Sequence, residues 1–294
     1  MTSMVSSRKK QAVPMRRKTR SAGEIANRVI AYVFLLVLSA FVLLPFVWMF
    51  LSSLKRNNEI FTVPITWLPT DWQWVNYIEI WQKSDMGTWL VNTIFVAVLV
   101  TILQVLTGSF AAYGFARVRF PGRDTLFIVY IATLSVPWQA YMIPQFKFIS
   151  SLGLVDSLWA IVLLQTFSAF GVFLMKQYYD SIPESLSEAA RIDGLSEYGI
   201  YWRIMLPLST APIASLAIIT FTRTWNDYMG PLIYLRRAEL WTVQLGLQSF
   251  VGQYNADYAA IMTGSVISVL PIAIVFVLGQ RYFVQGIATS GMKN

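Results

Sequence analysis

The sequence predicts an all-α integral membrane protein that crosses the bilayer six times. Of its 294 residues, 56% are hydrophobic and 13% are charged, and that charged share is about half of the value for a typical soluble domain. Six apolar segments are each long enough to cross a bilayer as a helix. We expect a helix for each segment, because a helix pairs all of its own backbone groups inside lipid.

The first apolar segment, residues 30–54, is uncharged and too long for the apolar part of a signal peptide, so we expect an uncleaved span. Prolines 137, 144 and 271 fall inside later segments, where each is expected either to kink its helix or to serve as a gate hinge. The other five predicted spans are residues 89–116, 125–146, 157–175, 208–235 and 258–279.

Basic residues predict which connections face the cytosol. Residues 1–28 hold eight Lys and Arg against Glu24 alone, which favours a cytosolic anchor over a nucleic-acid-binding tail. The segment 55–88 balances its charges and is expected to be external. Positive charge returns in the second-to-third and fourth-to-fifth connections, as Arg117, Arg119 and Arg123 and then Lys176, Arg191 and Arg203.

These charges predict a linear organisation with both termini in the cytosol. Residues 1–28 form a basic tail, and residues 29–88 form the first transmembrane helix and an external loop. Residues 89–283 form a core of five helices that includes a cytosolic loop at 176–207. Residues 284–294 form a second cytosolic tail.

The charged, glycine-containing stretch 181–207 of this cytosolic loop predicts two short helices. Ser181 and Glu184 have the spacing of a capping box, in which each side chain pairs with a free backbone N–H. Pro183 is expected in the first turn, where its missing N–H costs nothing. Gly194 supplies the left-handed residue that ends such a helix.

Leu186, Ala189 and Ala190 are expected to line one face of the first of these helices, and its two alanines would allow another surface to approach closely. A second short helix is expected to run from Ser196 to Arg203. From these residues alone, a docking element and an ordinary solvated turn between two spans are both open.

One gapped pattern in the loop resembles a known family. Glu188, Ala189 and Ala190 are followed by Gly194, and then by a second block that ends at Pro207. This spacing resembles the "EAA" loop of binding-protein-dependent ABC importer permeases. The residues assigned to ATPase coupling by this resemblance are Glu188, Ala189, Ala190, Asp193, Gly194, Ile204, Leu206 and Pro207.

Three other stretches carry the same resemblance, which is strongest to the maltose-type second permease subunit of the carbohydrate branch. They are the segment AAYGFARVRFPGR at 111–123, the run WNDYMGPL at 225–232, and the tail GIATSGMK at 286–293. Gly114 departs from the pattern, since alanine is commoner there, and this glycine is expected to loosen the helix end.

The resemblance implies an ABC type I importer permease fold with a cytosolic coupling helix between the fourth and fifth spans. It implies an inner-membrane subunit of a prokaryote that pairs with a homologous permease and sits on two ATP-binding subunits. A sugar would arrive from an extracytoplasmic binding protein. The coupling helix, residues 183–193, would sit in a cleft of the ATPase, with Glu188 facing a basic residue of that partner.

The sequence also indicates that ATP is bound elsewhere. None of the 16 glycines is followed by lysine, so the phosphate-binding loop G-x-x-x-x-G-K-[ST] is excluded. We therefore expect no cofactor in this chain and expect ATP and Mg²⁺ on the partner ATPase. The chain has no Cys or His, and no acid, base or metal-ligand cluster indicates an enzyme. A secondary carrier remains the alternative, although no convincing internal repeat supports it.

A second candidate site lies in the predicted fifth span, where ionisable residues are costly and usually face protein or water. Arg223 and Asp227 have i,i+4 spacing and could pair with each other as a structural ion pair. Alternatively, they could line the translocation path beside Trp225 and Asn226, where amide and carboxylate groups would bond sugar hydroxyls and an aromatic face would cover the ring.

Tryptophans crowd the external loop and the start of the second span. An aromatic belt at the membrane surface explains them, and a docking surface for the binding protein is the alternative. The solute itself is not fixed by the sequence, because disaccharides, oligosaccharides and glycerol-phosphate-type solutes all suit this branch. The tryptophans are Trp67, Trp72, Trp74, Trp81 and Trp89.

Overall fold

The computed structural model describes residues 22–252 and 256–290. Helices form the regular structure of these residues, together with one β-bridge between Val251 and Ala256, so the predicted all-α class is confirmed. Most of the basic tail, through residue 21, and the last four residues lie outside the described ranges. The chain divides into two compact units, and the boundary along the sequence falls between Trp48 and Met49.

Fourteen α-helical segments occur in the described ranges. We number them in chain order: α1 Ala22–Ser53, α2 Asn76–Lys83, α3 Met86–Arg117, α4 Arg123–Ala132, α5 Trp138–Ser151, α6 Leu158–Gln165, α7 Ala169–Ser181, α8 Glu184–Ile192, α9 Glu197–Ile200, α10 Leu206–Leu208, α11 Thr210–Trp225, α12 Met229–Tyr234, α13 Val243–Gln248 and α14 Tyr258–Ser290.

Four spans are long and apolar enough to cross a membrane, judged by length and composition among the described residues. Each overlaps a predicted span, and their ends shift by a few residues. Pro45 and Pro271 lie within helices that continue past them. The four are Ala26–Ser53, Met86–Arg117, Leu158–Ser181 and Tyr258–Gln280.

Two bent pairs of helices are also long and apolar enough, and the described residues hold six spans if each pair counts as one. The helices Arg123–Ser135 and Trp138–Ser151 meet at 102°, and Glu197–Leu208 meets Thr210–Trp225 at 79°. Pro137 precedes the first residue of α5 and lacks the N–H that a continuing helix would use. The third predicted span is therefore broken at Pro137 rather than gently kinked.

The fifth predicted span, 208–235, was too long. Its helix α11 ends at Trp225, where Asn226 closes the last turn with backbone bonds to the carbonyls of Thr222 and Thr224. The short helix α12 follows only after a break. The apolar residues on both sides of Arg223, Asn226 and Asp227 hid this interruption, because composition does not reveal where the backbone leaves the helix.

Helix α3 packs against both α7 and α11. A Cβ atom added at Gly108 of α3 would lie 3.5 Å from the backbone of Gly171 on α7. A Cβ atom added at Gly171 would lie 3.3 Å from Leu216 on α11. Small residues let helix backbones approach closely in a membrane, where the hydrophobic effect does not drive helices together.

Gly246 of α13 faces a rigid neighbour. A Cβ atom there would lie 2.1 Å from the indole of Trp89, and that indole is held by a 3.1 Å hydrogen bond from its Nε1 to the carbonyl of Ala238. A Cβ atom at Gly114 of α3 would meet nothing within 4 Å. The two glycines therefore differ in what surrounds them.

We predict that Gly246→Ala destabilises the protein by about 1–3 kcal/mol, the usual cost of overpacking. Gly114→Ala is expected to be neutral or to stabilise the protein by up to about 1 kcal/mol, because alanine is the better helix former. Thermal unfolding of the two purified variants in detergent checks this. Equal stability of the two variants would contradict the packing at Gly246.

Candidate coupling loop and translocation cavity

The loop between α7 and α11 begins differently from the capping-box prediction. Helix α7 runs through Ser181, whose hydroxyl donates to the carbonyl of Tyr178 at 2.6 Å. Pro183 stands just before α8 without a side-chain cap, and Glu184 pairs instead with Arg119 at 3.4 Å. The capping box is absent here because α7 continues far enough to use the Ser181 hydroxyl within its own last turn.

The end of α8 matches the prediction for Gly194. Its φ is +83°, a conformation that costs glycine no steric clash. The N–H of Leu195 donates to the carbonyl of Ala190, and the N–H of Gly194 to that of Arg191, both at 3.0 Å. These bonds form a Schellman motif, which satisfies carbonyls that a helix end leaves free, so the C-terminal end of α8 is capped.

The structure separates the three residues of the predicted apolar face of α8. Ser187 and Ala190 are buried, whereas Leu186 and Ala189 point outward with Glu188. Ala190 packs in a cluster beneath the helix that includes Tyr113 and Tyr179. The pattern of small and apolar residues was ambiguous, because an alanine suits either face of a short helix.

The outer surface of α8 carries both apolar and acidic groups. Ile192, near its end, is 86% exposed and Leu186 is 44% exposed, and Glu188 lies between them on the exposed side. Asp193 is also exposed and ends the helix. An exposed Ile at a capped helix end leaves apolar surface in contact with solvent, which is a feature of interaction sites.

The second half of the loop starts as predicted and ends differently. The Ser196 hydroxyl accepts from the N–H of Gly199 at 3.4 Å, which caps α9. A π-helical turn, Tyr201–Met205, follows and leads directly into α10. Pro207 is therefore inside a helical segment rather than beyond it. Ile204 and Leu206 are half-buried against the cluster beneath α8.

Two residues that the sequence did not single out as site residues tie this loop to α3. The Glu197 carboxylate accepts from the Nε of Arg191 at 2.8 Å and from the hydroxyl of Tyr113 at 2.5 Å. The Arg117 guanidinium donates to the carbonyls of Tyr179 and Ile182. The only signal in the sequence was an acidic residue in the first turn of a predicted helix, which is common and unspecific.

A cavity of about 850 Å³ forms the second candidate site. Three helix breaks contribute to its wall: 133–138 between α4 and α5, 165–169 between α6 and α7, and 223–230 between α11 and α12. Irregular backbone at membrane depth is tolerated where it lines a cavity or is buried in protein. The convergence of three breaks on one space therefore marks a polar opening within the bundle.

Asp227 is fixed by groups from two of these breaks. Its Oδ2 accepts from Nε2 of Gln165 at 2.7 Å, and its Oδ1 accepts from the N–H of Gly230 at 3.1 Å. The Oε1 of Gln165 accepts in turn from the hydroxyl of Thr224 at 2.9 Å. A Cβ atom at Gly230 would lie 2.4 Å from Oδ2, so this turn requires glycine.

Helix α3 satisfies the carbonyls that the α6 break leaves free. Nε2 of Gln104 donates to the carbonyl of Gln165 at 2.5 Å, and the Thr107 hydroxyl donates to the carbonyl of Thr166 at 2.9 Å. The Oε1 of Gln104 accepts from Thr220 of α11 at 2.9 Å. Side chains thus replace the missing helix bonds beside the cavity.

The four residues predicted for the translocation path separate into two groups. Arg223, Asn226 and Asp227 line the cavity. Trp225 does not: it is fully buried, its Nε1 donates to the carbonyl of Ser268 at 3.1 Å, and its ring stacks on Phe221. Residues so close in sequence cannot all face one side of a helix, and Trp225 packs between helices instead.

The predicted pairing of Arg223 with Asp227 is also wrong. Among the described residues, no ion pair joins them, and the Asp227 carboxylate is occupied by Gln165 and Gly230. The i,i+4 argument required a helix through both residues, but α11 ends at Trp225. The break moves Asp227 out of the register that the pairing assumed.

The five tryptophans between residues 67 and 89 also fall into an exposed group and a buried one. Trp72 and Trp74 are stacked and about half exposed, as are Trp67 and Trp81. Trp89 instead is buried against Trp241 and Phe250. The expected belt therefore excludes Trp89, which belongs to the core of the bundle.

Asp156 joins the loop before α6 to the segment after α12. Its φ of +64° turns the chain there, and its carboxylate accepts from the backbone N–H groups of Arg236 and Arg237 and from the Arg237 side chain at 2.7 Å. These backbone hydrogen bonds, and then the Arg237 guanidinium, hold the pKa of Asp156 below its usual range. The N–H of Asp156 also donates to the carbonyl of the cavity residue Tyr234 at 2.8 Å.

These features define a class of protein: a helical membrane permease with a polar cavity at interrupted helices and a capped helix exposed on one connecting loop. The chain belongs to the family of binding-protein-dependent transport system inner membrane components, which matches residues 104–289. It is therefore the permease component of an ABC transporter and a multi-pass cell membrane protein. It is not an enzyme, and the secondary carrier considered from the sequence is excluded.

Individual relatives span nearly the whole chain. The sequence is 32% identical over 268 residues to the arabinooligosaccharides transport system permease protein AraQ of Halalkalibacterium halodurans, covering 90% of this chain and 95% of that one. It is 34% identical over 260 residues to the osmoprotective compounds uptake permease protein GgtD of Synechocystis, covering 85% and 87%. It is 32% identical to the lactose transport system permease protein LacG of Rhizobium radiobacter, covering 87% and 93%.

A solved structure shares the fold. A chain from the crystal structure of a bacterial ABC transporter involved in the import of the acidic polysaccharide alginate superposes with a TM-score of 0.78 at 25% identity. The match covers 90% of this chain and 99% of that chain. The predicted importer permease fold is therefore confirmed.

We predict that Asp156→Asn lowers the thermal unfolding temperature at neutral pH, and that the difference from the wild type disappears in acid. The folded-state pKa of Asp156 is depressed, so its carboxylate contributes stability above the unfolded value of about 3.9 and loses it as pH falls through the lower folded-state pKa. Asparagine tolerates the left-handed backbone, so the variant keeps the turn while it removes the charge and one of the two acceptor oxygens. A difference that stays constant from pH 7 to pH 3 would contradict this role.

Proposed function

We propose that this chain is one of two homologous permease subunits of an ATP-driven importer for a sugar or sugar-related solute. The other components would be two ATP-binding subunits on the cytosolic side and an extracytoplasmic binding protein. The observation that carries the proposal is α8, a helix capped at its end by Gly194 and fastened on its inner face, whose outer face leaves Ile192 and Leu186 exposed.

The proposed orientation has both termini in the cytosol, which puts the α7–α11 loop on the side where ATP is found. Arg117, Arg119 and Arg123 at the α3–α4 connection, with no acidic residue between them, support this orientation. In this role, the coupling residues are Glu188, Ala189, Ala190, Asp193, Gly194, Ile204, Leu206 and Pro207. Glu188 and Ala189 are on the exposed side of α8, so they would contact the ATPase, whereas Ala190 would hold the helix to the bundle.

The substrates for which relatives are named support a sugar or sugar-like solute. AraQ is a permease for arabinooligosaccharides, LacG for lactose, NgcG of Streptomyces coelicolor for diacetylchitobiose, and UgpE of Yersinia pestis for sn-glycerol-3-phosphate. We propose that the cavity is the passage for this solute. Its volume of about 850 Å³ lies within the usual range for sites that hold small molecules.

The cavity wall has the groups that sugar binding uses. Asn226 and Arg223 offer hydrogen-bond donors, Gln145 has an amide, and Trp138 and Tyr141 present aromatic rings. Hydroxyl groups of a sugar would bond the polar side chains, and the face of its ring would lie on an aromatic. Trp225 has no part in this proposal, because it is buried in helix packing.

We expect Gly194→Pro and Glu188→Lys to leave the amount of protein in the membrane unchanged while uptake by the assembled transporter falls at least about tenfold. Proline cannot adopt a φ of +83° and lacks the N–H that Gly194 donates to the Arg191 carbonyl. Lysine at 188 reverses the charge of the exposed surface. ATP hydrolysis would continue, since its site is on another chain.

The measurement is ATP-driven uptake by the complete transporter in proteoliposomes, with ATPase activity recorded in parallel. Glu239→Lys, an equal charge reversal at an exposed residue of another connection, serves as the control. Normal uptake by both loop variants would remove the basis for the proposed coupling role. Concentration of solute without ATP would overturn the proposed function as a whole.

For the cavity, we predict that Asp227→Asn changes the relative transport of different sugars by up to about tenfold, the effect of one hydrogen bond of roughly 1 kcal/mol or slightly more. Asp71→Asn, which alters an exposed pair with Arg56 far along the sequence, is the matched control. Transport rates for a panel of mono- and disaccharides check this. An equal loss for every sugar together with less folded protein would indicate a purely structural Asp227.

A further inference from the structure

Helix α3 carries a row of three polar side chains that bond to the coupling loop. Ser109, Tyr113 and Arg117 are four residues apart, so they lie on one face of the helix. Ser109 and Tyr113 are buried, although polar side chains in a membrane bundle are costly unless they are paired. Each of the three has a partner in the segment from the end of α7 to the π-helical turn.

The three partners lie along the whole loop. The Ser109 hydroxyl and the Tyr201 hydroxyl share a hydrogen bond of 2.8 Å. The Tyr113 hydroxyl donates to Glu197 at 2.5 Å. Arg117 donates to the carbonyl of Ile182, two residues before α8 begins. Helix α8 is thus held to α3 both before its first residue and after its last.

Glu197 is the central member of this row. Its second oxygen accepts from Arg191 of α8 at 2.8 Å, so one carboxylate joins the coupling helix to α3. Hydrogen bonds to an ionised acceptor are shorter and stronger than those between neutral groups. Tyr113 is only 3% exposed, and a buried phenol that lost this acceptor would keep an unpaired hydroxyl.

The same helix reaches the cavity. Gln104 lies nine residues before Tyr113, about 13 Å along the axis of an α-helix, and bonds the Gln165 carbonyl and Thr220 beside the cavity. Helix α3 is continuous over its 32 residues. The other helices that bring residues to the cavity break there. A continuous helix transmits a displacement along its length, whereas a broken one can absorb it at the break.

We propose that Ser109, Tyr113 and Arg117 form a clasp that fixes the coupling loop to α3, with Glu197 as its positioning residue. In this arrangement α3 carries the displacement of α8 to the cavity wall at Gln165. The inference rests on the proposed function, because it assigns a route for the coupling of that transporter. An effector changes the balance of two states only by its differential affinity for them. If α8 were loosely held, it could move with the ATPase without displacing the rest of the bundle, and the free-energy difference would not reach the cavity.

The experiment compares variants of the complete transporter in proteoliposomes and measures solute imported per ATP hydrolysed. Tyr113→Phe removes one hydroxyl, and Glu197→Gln removes the charge but keeps the side-chain volume. The control is Tyr130→Phe, which removes a hydroxyl from a residue of α4 packed on the same buried cluster. Thermal unfolding of each variant reports on stability separately.

We expect Tyr113→Phe and Glu197→Gln each to lower the ratio of solute imported to ATP hydrolysed about five- to tenfold, while ATP hydrolysis continues at a comparable rate. The loss in the double variant should be less than the sum of the two single losses, because Tyr113→Phe removes a bond that Glu197→Gln already weakens. Ser109→Ala should lower the ratio further when combined with Tyr113→Phe, since it removes a different bond. Tyr130→Phe should leave the ratio at the wild-type value.

Different outcomes would overturn the inference and the proposed function. If the wild type imports solute with ATP and the Tyr113→Phe and Glu197→Gln variants keep its ratio, the clasp has no role in coupling and the inference is overturned. A strictly additive loss for Tyr113→Phe and Glu197→Gln would overturn it as well. If the assembled wild type shows no ATP-dependent import, the proposed function itself fails.

Discussion

Backbone hydrogen bonding in lipid is the constraint on which this structure depends. A helix that breaks within the membrane leaves N–H and C=O groups without partners, and no water in the hydrocarbon core can replace them. Here, Gln104 and Thr107 of α3 bond the carbonyls of Gln165 and Thr166, and the Asp227 carboxylate bonds the N–H of Gly230. The breaks are stable because side chains from neighbouring elements replace the lost helix bonds.

The same constraint applies at the two places to which we assign function. One is the cavity, where three breaks meet and polar side chains have a surface to line. The other is the contact between α3 and the α7–α11 loop, where Tyr113 and Glu197 pair across a largely apolar cluster. At both places, polar groups from different elements satisfy one another.

Helix α3 is the structural link between these two places. Close packing at Gly108 and Gly171 keeps it against α7. Along its length, Gln104 bonds groups beside the cavity and Tyr113, nine residues later, bonds the loop. The loop itself is shaped by Gly194, whose positive φ ends α8 and lets the chain turn toward Ser196. These local features give α8 a defined position with its exposed face outward.

Much of the fold followed from composition and periodicity. The lengths of the apolar segments located four spans to within a few residues, and the glycine signal correctly ended α8. The errors had two causes. Ser181 was taken for the start of a helix, but α7 continues through it and uses its hydroxyl locally. Trp225 was taken for a cavity residue, but its position depends on Ser268, which is distant in the sequence.

The sequence by itself determined that this is a helical membrane protein, that it lacks an ATP-binding loop, and that one connection carries a gapped motif at defined spacing. Those properties are local: they depend on segment length, residue type and spacing along the chain. Only the tertiary structure decided that α11 stops at Trp225, that Asp227 pairs with Gln165 rather than Arg223, and that Glu197 joins α8 to α3. The physical reason is that each depends on hydrogen bonds between residues from different helices, whose partners are set by how the helices pack.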